Sequence, residues 1–173
     1  MNVFVCDNDP TRAALQLCDK HVVKMIVESV QILSSVDDKW NLSEHMPGVD
    51  LCRPGWKNHP AVLCARNNSA YALWIAEHGY ALSMEYACRY GKIHAMDNLA
   101  YYFRKAARLQ FGTVAFDADI TNTFPRCMPE KYALKATTVD AYRSYLDFKY
   151  NELWAPGKAR WTNASQPSWC FHS

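Results

Sequence analysis

Two long segments with the apolar spacing of an amphipathic helix limit most strongly what this chain can fold into. In both, apolar residues recur every three or four positions between clear start and stop residues. The first segment follows Asp9 and Pro10, an N-cap residue and a residue favoured at the first helical position. The second starts at His59 and Pro60 and stops before Gly91. We predict two long helices, at about 10–35 and 59–90.

The rest of the chain also favours helices. Shorter helical patterns predict two further helices, at about 93–109 and 138–154, followed by an irregular tail, residues 155–173, that is aromatic and basic. The sequence contains no internal repeat and no linker long enough to separate domains. A chain of 173 residues can also bury a core without disulfides or metals. We therefore predict an all-α, compact fold in which residues 1–173 form a single helical domain.

Composition narrows the functional classes. Half of the residues are apolar and 13% are aromatic, which excludes an intrinsically disordered chain. A net charge of +2 means that any surface for nucleic acid must be local. The seven cysteines are odd in number and form no C-x-x-C pair, as expected for thiols in a reducing compartment. No segment approaches about 18 uninterrupted apolar residues, and the N-terminus does not resemble a signal peptide. We expect a cytoplasmic protein with no membrane partner.

The segment CDKHVVKMIVES, residues 18–29, carries ionisable side chains on an otherwise apolar helix. His21, Lys24 and Glu28 are spaced i, i+3 and i+7, so they lie on one stripe of the helix surface. One interpretation is a surface ion pair between Lys24 and Glu28, worth a few tenths of a kcal/mol. The other is a functional site, in which a partly apolar environment shifts the pKa values of these groups. The buried face of this helix is predicted to comprise Cys18, Val22, Ile26, Val30 and Leu33.

The same segment resembles the catalytic helix of the phage-type pyrimidine-dimer DNA glycosylases, the endonuclease V class. That helix carries an Asp, a His two residues later and an essential Glu nine residues after the Asp; Asp19, His21 and Glu28 match this spacing. Segment 59–91 is similar to the family's second long helix, and the tail has the family's aromatic, Lys-containing character. The resemblance implies an all-α DNA glycosylase of bacteriophage origin that works in the host cell cytoplasm.

The resemblance also implies individual roles. Glu28 would orient the sugar and assist opening of the deoxyribose ring, and His21 would lie near the DNA. The family's nucleophile is the α-amine exposed when Met1 is removed, which belongs to Asn2 here. Such an amine has a pKa of about 7.7–8, so a neutral fraction exists at pH 7 and can form a Schiff base at C1′. Methionine removal is inefficient before a residue as large as Asn, so the Met1 amine is the second candidate.

Besides Asn2, two further positions depart from the family pattern. Val3 stands where the family has a basic residue, and Val27 stands directly before the Glu, where the family carries an Arg that contacts the dimer. Both differences concern specificity for a pyrimidine dimer rather than the fold.

Basic and aromatic residues elsewhere are candidates for contacting DNA. The segment RYGKIH, residues 89–94, is a concentrated basic turn suited to phosphates, and the tail combines cations with a tryptophan that could stack on a base. Structural roles explain the same residues: cations complement a helix C-terminus, a histidine suits an N-cap, and the tail tryptophan can pack on the core. The predicted substrate-binding residues are Lys24, His59, Arg66, Arg89, Lys92, His94, Lys158, Arg160 and Trp161.

Metal and cofactor chemistry find little support in the sequence. Cys18 and His21 are spaced as a ligand pair, but no second paired motif follows, so no metal is predicted. The Gly-rich phosphate loop, G-x-S-x-G and H-E-x-x-H are all absent from the sequence, and no cofactor is predicted.

The leading hypothesis is a DNA glycosylase, with or without AP-lyase activity, that acts on damaged or modified pyrimidines in double-stranded DNA. It would use an N-terminal amine Schiff base and the acidic residue Glu28. Two alternatives belong to other classes: a non-enzymatic helical phage protein that binds a partner, and a small-molecule enzyme that uses a pocket at His21 and Glu28.

Overall fold

A computed structural model describes residues 2–170 of the chain. Within that range the chain is helical and contains no β-strand, which confirms the all-α prediction. A 3₁₀ turn at Leu42–His45 and a π turn at Lys149–Leu153 accompany the α-helices. The α-helices, in chain order, are α1 (Pro10–Gln16), α2 (Asp19–Ser35), α3 (Asp37–Trp40), α4 (Pro60–Asn67), α5 (Ser69–Tyr90), α6 (Asp97–Phe111), α7 (Ala118–Thr121), α8 (Glu130–Ala133) and α9 (Thr138–Phe148).

The predicted helix at 10–35 is two helices, α1 and α2, so its continuity was predicted wrongly. Asp9 caps α1 as expected, because its side chain accepts a hydrogen bond from the Arg12 N–H at 2.8 Å. The break lies at Leu17 and Cys18, which are fully buried and have extended backbones. The first N–H of α2, that of Asp19, donates to a tail carbonyl at 2.8 Å. A distant segment therefore satisfies the backbone group that the break leaves open.

The predicted helix at 59–90 is also divided, into α4 and α5. Asn68 separates them: its backbone is extended, and its side chain accepts from the Tyr71 N–H at 3.0 Å as the cap of α5. The same side chain donates to Thr123 Oγ1 at 3.1 Å, which gives the interruption a tertiary contact. His59 and Gly91 cap the outer ends as predicted, with Gly91 in the left-handed conformation at φ 64°.

The later helices follow the predictions more closely. Helix α6 begins at Asp97, later than the predicted 93, because His94 Nδ1 accepts from the Met96 N–H at 3.1 Å and holds a turn. Helix α9 and the π turn together cover 138–153, close to the predicted fourth helix. No helix in the described part of the chain has an apolar stretch long enough to cross a membrane.

Helix α2 packs across α5, and the two form the centre of the molecule together with α1 and α6. Gly79 on α5 allows a close crossing, since a Cβ there would lie 2.9 Å from Ser29 Cβ. Ser29 directly follows Glu28, so this contact between α2 and α5 fixes the position of Glu28 along the helix pair. The predicted buried face of α2 is confirmed; its members are at most 1% exposed: Cys18, Val22, Ile26, Val30 and Leu33.

Arg89, which was predicted to bind substrate, lies inside the protein and contacts protein groups. Its guanidinium donates to Glu85 Oε1 at 2.7 Å, to Asp19 Oδ1 at 3.0 Å and to the Leu15 carbonyl at 3.2 Å. The side chain is 0% exposed, so it cannot reach a DNA backbone. Asp19 also accepts from the N–H and hydroxyl of Thr162. This network joins α1, α2, α5 and the tail.

Candidate functional site

Glu28 is the centre of the candidate site. Its residue is 6% exposed, and Oε2 accepts a hydrogen bond of 2.6 Å from the backbone N of Asn2. Oε1 lies 3.2 Å from Nζ of Lys24, whose side chain is 68% exposed. The ion pair between Lys24 and Glu28 that the sequence suggested is therefore present. The same carboxylate also accepts a hydrogen bond from the N-terminal segment. Glu28 is thus a buried carboxylate with a backbone nitrogen on one oxygen and a solvent-facing cation on the other.

The Asn2 side chain is held by three hydrogen bonds. Its amide Nδ2 donates to the Cys127 carbonyl at 2.8 Å, and its Oδ1 accepts from the Val3 N–H at 2.8 Å and from the Tyr142 hydroxyl at 3.2 Å. Residues 3–6, which follow Asn2, are buried in the core. These contacts fix the Asn2 nitrogen against Glu28. Met1, the other predicted source of the amine, lies outside the described residues.

His21 lies about two helical turns before Glu28 and is 4% exposed. Its Nδ1 and the Tyr150 hydroxyl are 2.6 Å apart and share a hydrogen bond. Burial lowers the pKa of His21 well below its usual value, and the ammonium groups of Lys149 and Lys24 lower it further. The imidazole is therefore neutral at neutral pH and can form hydrogen bonds without carrying a charge.

A pocket of about 340 Å³ opens beside these groups. Its lining includes Asn2, His21 and Glu28, which the resemblance implied, and Lys24 from the same helical stripe. It also includes three residues that were not predicted from the sequence: Phe4, Lys149 and Trp154. The pocket thus combines a carboxylate, ammonium groups and aromatic rings.

Lys149 lies close to three aromatic rings, two of which line the pocket. Its ammonium lies 5.4 Å from the ring centres of Phe4 and Trp154 and 5.7 Å from that of Tyr145. Burial lowers the pKa of Lys149, and the neighbouring Lys24 acts in the same direction. In the sequence, Lys149 is a lysine among aromatic residues in the last predicted helix. The residues around it do not predict its proximity to the helix that carries Glu28.

Two of the predicted substrate-binding residues, besides Lys24, lie close to the pocket. His59 caps α4 by accepting from the Ala61 N–H at 3.2 Å. Burial lowers the pKa of His59, while the Glu28 carboxylate acts in the opposite direction, so the two groups are near each other. Lys158 lies over the Trp154 ring at 5.3 Å, at the rim of the pocket.

The other predicted contacts are not brought to the pocket. Arg66 donates to both carboxylate oxygens of Asp38, at 2.7 and 3.1 Å. Lys92 is exposed beyond α5, where His94 forms the turn described above. In the tail, Arg160 Nε donates to the Gly157 carbonyl at 2.9 Å. Trp161 packs edge-on against Tyr150 and donates to the Gln16 carbonyl at 3.3 Å, the core-packing role considered as its alternative.

No group of three or more His, Cys, Asp or Glu side chains in residues 2–170 is arranged to hold a metal ion. Cys18 is fully buried at the start of α2, and His21 Nδ1 is occupied by Tyr150, so these two do not form a ligand pair.

Comparison with known protein families identifies the family of the chain. The family model of pyrimidine dimer DNA glycosylases matches residues 1–99, more than half of the 173 residues. The matched range includes the pocket residues Asn2, His21 and Glu28. It does not include Lys149 or Trp154, which also line the pocket. No curated protein and no solved structure matches the chain. The resemblance seen in the catalytic helix is thereby confirmed: the chain belongs to the pyrimidine dimer DNA glycosylase family.

Proposed function

We propose that this protein is a DNA glycosylase with an AP-lyase step, acting on damaged or modified pyrimidines in duplex DNA through an α-amine at its N-terminus. The observation that carries the proposal is the 2.6 Å hydrogen bond from the Asn2 nitrogen to Glu28. Removal of Met1 would convert this backbone nitrogen into the α-amine. The nucleophile and an acid–base group would then be in direct contact.

The proposed reaction uses these two groups in sequence. The neutral amine attacks C1′ of the deoxyribose as the bond between C1′ and the base breaks, and the base leaves with the bonding electron pair. Glu28 accepts the proton released by the amine and returns it to O4′, so that the ring opens and a Schiff base forms. Loss of a C2′ proton then expels the 3′ phosphate by β-elimination, and water hydrolyses the Schiff base to free the enzyme.

The remaining pocket residues bind and orient the nucleotide in this proposal. Lys24 and Lys149 offer ammonium groups for phosphates, and the half-buried Trp154 ring offers a face on which an unstacked base can lie. Neutral His21, held by Tyr150, can hydrogen-bond the sugar or base without adding charge. Lys158 and His59 lie at the edge, where DNA strands would pass.

The two alternatives drawn from the sequence fit these observations less well. A non-enzymatic binding protein does not require the Asn2 nitrogen to lie against a buried carboxylate. A small-molecule enzyme does not account for membership in a family of DNA glycosylases.

Borohydride trapping tests the proposal. The protein is incubated with duplexes that carry an abasic site, a cyclobutane pyrimidine dimer or modified pyrimidines, and adducts are mapped by mass spectrometry. We expect an adduct on the N-terminal amine, and the same spectra report whether Met1 has been removed. A variant with one residue inserted before Asn2 is the control, because it displaces the amine. An adduct on Lys149 would overturn the assignment of the amine, and no adduct on any duplex would overturn the lyase step.

A further inference from the structure

Trp56 exposes 80% of its surface. It lies in the segment RPGWKN, residues 53–58, which leads into α4. Single exposed apolar residues are common, and Ile93 is 82% exposed at the end of α5. Exposure alone therefore assigns no role to Trp56, and three further observations set it apart.

The backbone on both sides of Trp56 is anchored. The Gly55 N–H lies within hydrogen-bond reach of two acceptors on α2, Ser35 Oγ at 2.7 Å and the Gln31 carbonyl at 3.3 Å. On the other side, the His59 N–H donates to the Trp56 carbonyl at 2.9 Å. The indole is thus displayed by a segment that is bonded to the catalytic helix, which reduces the entropy lost when the ring inserts elsewhere.

The anchoring points lie close to the pocket along α2. Gln31 and Ser35 follow Glu28 by three and seven residues, about 5 and 10 Å along a helix that rises 1.5 Å per residue. His59, three residues after Trp56, is near enough to Glu28 to feel its charge. A nucleotide held at Glu28 would therefore have its neighbouring base pairs within reach of Trp56.

Cations flank the tryptophan. Arg53 and Lys57 are both exposed, so an apolar ring projects between two groups that attract phosphates. Proteins that unstack DNA combine these elements, with cations on the backbone and an apolar side chain inserted between base steps.

We infer that Trp56 is a wedge, which inserts between base pairs beside the lesion and keeps the target nucleotide unstacked in the Glu28 pocket. This inference rests on the proposed DNA substrate. Arg53 and Lys57 hold the phosphates on either side of the insertion point, and the indole replaces the stacking that the displaced nucleotide loses.

The test compares Trp56→Ala and Trp56→Phe with Leu134→Ala, a control at a similarly exposed apolar residue that follows α8 and is 76% exposed. Binding is measured on a lesion-containing duplex and on a single strand with the same lesion. A 2-aminopurine beside the lesion reports unstacking by its fluorescence. We expect Trp56→Ala to weaken duplex binding roughly 10- to 100-fold, given the usual contribution of one base–aromatic stack, and to abolish the fluorescence rise. Trp56→Phe should retain part of the binding and part of the fluorescence rise, and Leu134→Ala should retain both in full.

Trp56→Ala should weaken single-strand binding less than duplex binding, because a single strand has no base pairs between which the ring inserts. An equal loss on duplex and single strand, or no loss on either, would overturn the wedge. Neither readout requires bond cleavage, so a failure of the trapping experiment with unstacking intact would count against the lyase chemistry alone.

Discussion

Replacing Glu28 with Gln removes the negative charge from the pocket and keeps the shape of the side chain. The amide oxygen of Gln can still accept the hydrogen bond from the Asn2 nitrogen, but the amide cannot take a proton from the amine. General acid–base groups contribute about 10²- to 10⁴-fold to a rate. We therefore expect base release and strand cleavage to fall by about that factor, with DNA binding retained.

The effect of this variant on stability should be small. A hydrogen bond to a carboxylate contributes about 1.5–3 kcal/mol and one to a neutral group about 0.5–1.5 kcal/mol, so the change at Asn2 costs about 1 kcal/mol. Lys24 is 68% exposed, so loss of its ion pair adds only a few tenths of a kcal/mol. Relief of the desolvation of a buried carboxylate offsets part of this sum. A net loss of about 1 kcal/mol lowers Tm by about 2–4 °C in a chain of this size.

Glu77→Gln is the matched control. Glu77 is also a largely buried carboxylate, with a side chain 14% exposed, and it pairs with Arg104 and Arg108 between α5 and α6. Its loss should lower Tm at least as much as Glu28→Gln while leaving cleavage unchanged. Single-turnover cleavage and thermal unfolding are measured on both variants. If Glu28→Gln cleaves a lesion duplex at the wild-type rate, Glu28 has no acid–base role and the reasoning fails.

Three further predictions concern the scaffold. Arg89→Met leaves the buried Glu85 carboxylate and the partly buried Asp19 carboxylate without their cation, and should lower the free energy of unfolding by about 3–5 kcal/mol in urea titrations. A change below about 1 kcal/mol would contradict a structural role for the network. Gly79→Ala places a Cβ 2.9 Å from Ser29 Cβ and should cost about 1–3 kcal/mol in the same assay, together with some cleavage activity, whereas an increase in stability would show that the helices can separate freely. Burial lowers the pKa of His78 from 6.5 to about 4. As the pH decreases below 6.5, the histidine is protonated in the unfolded chain before it is protonated in the folded protein, so the free energy of unfolding decreases. This residue should account for about 3 kcal/mol between pH 7 and pH 4, and His78→Gln should flatten that part of the stability profile.

Residues outside the matched family range complete the pocket. The Cys127 carbonyl and the Tyr142 hydroxyl form hydrogen bonds with the Asn2 side chain. Lys149 and Trp154 line the pocket. The family range thus supplies the groups proposed for bond cleavage, while the later part of the chain holds the Asn2 side chain and completes the pocket.

Local patterns in the sequence were sufficient for the helical class, for the outer ends of the two long helical segments and for the stripe of His21, Lys24 and Glu28. Caps such as Asp9 and Gly91 act through hydrogen bonds and backbone angles within a few residues, so their effect can be predicted without tertiary structure. The alignment of His21, Lys24 and Glu28 follows from helical geometry alone. Recognition of the family depended on the same local spacing, and for that reason it succeeded.

Only the tertiary structure decided which distant residues meet. The breaks at Cys18 and Asn68 are accompanied by contacts with the tail and with Thr123, and a helical pattern read along the sequence cannot include such contacts. Arg89 was predicted to be a surface cation because it lies at the end of a helix. In the structure its guanidinium instead donates to acceptors on α1, α2 and α5. Tyr150 meets His21 across 129 positions. Periodicity determines which residues share a face of a helix, but the path of the whole chain determines what packs against that face.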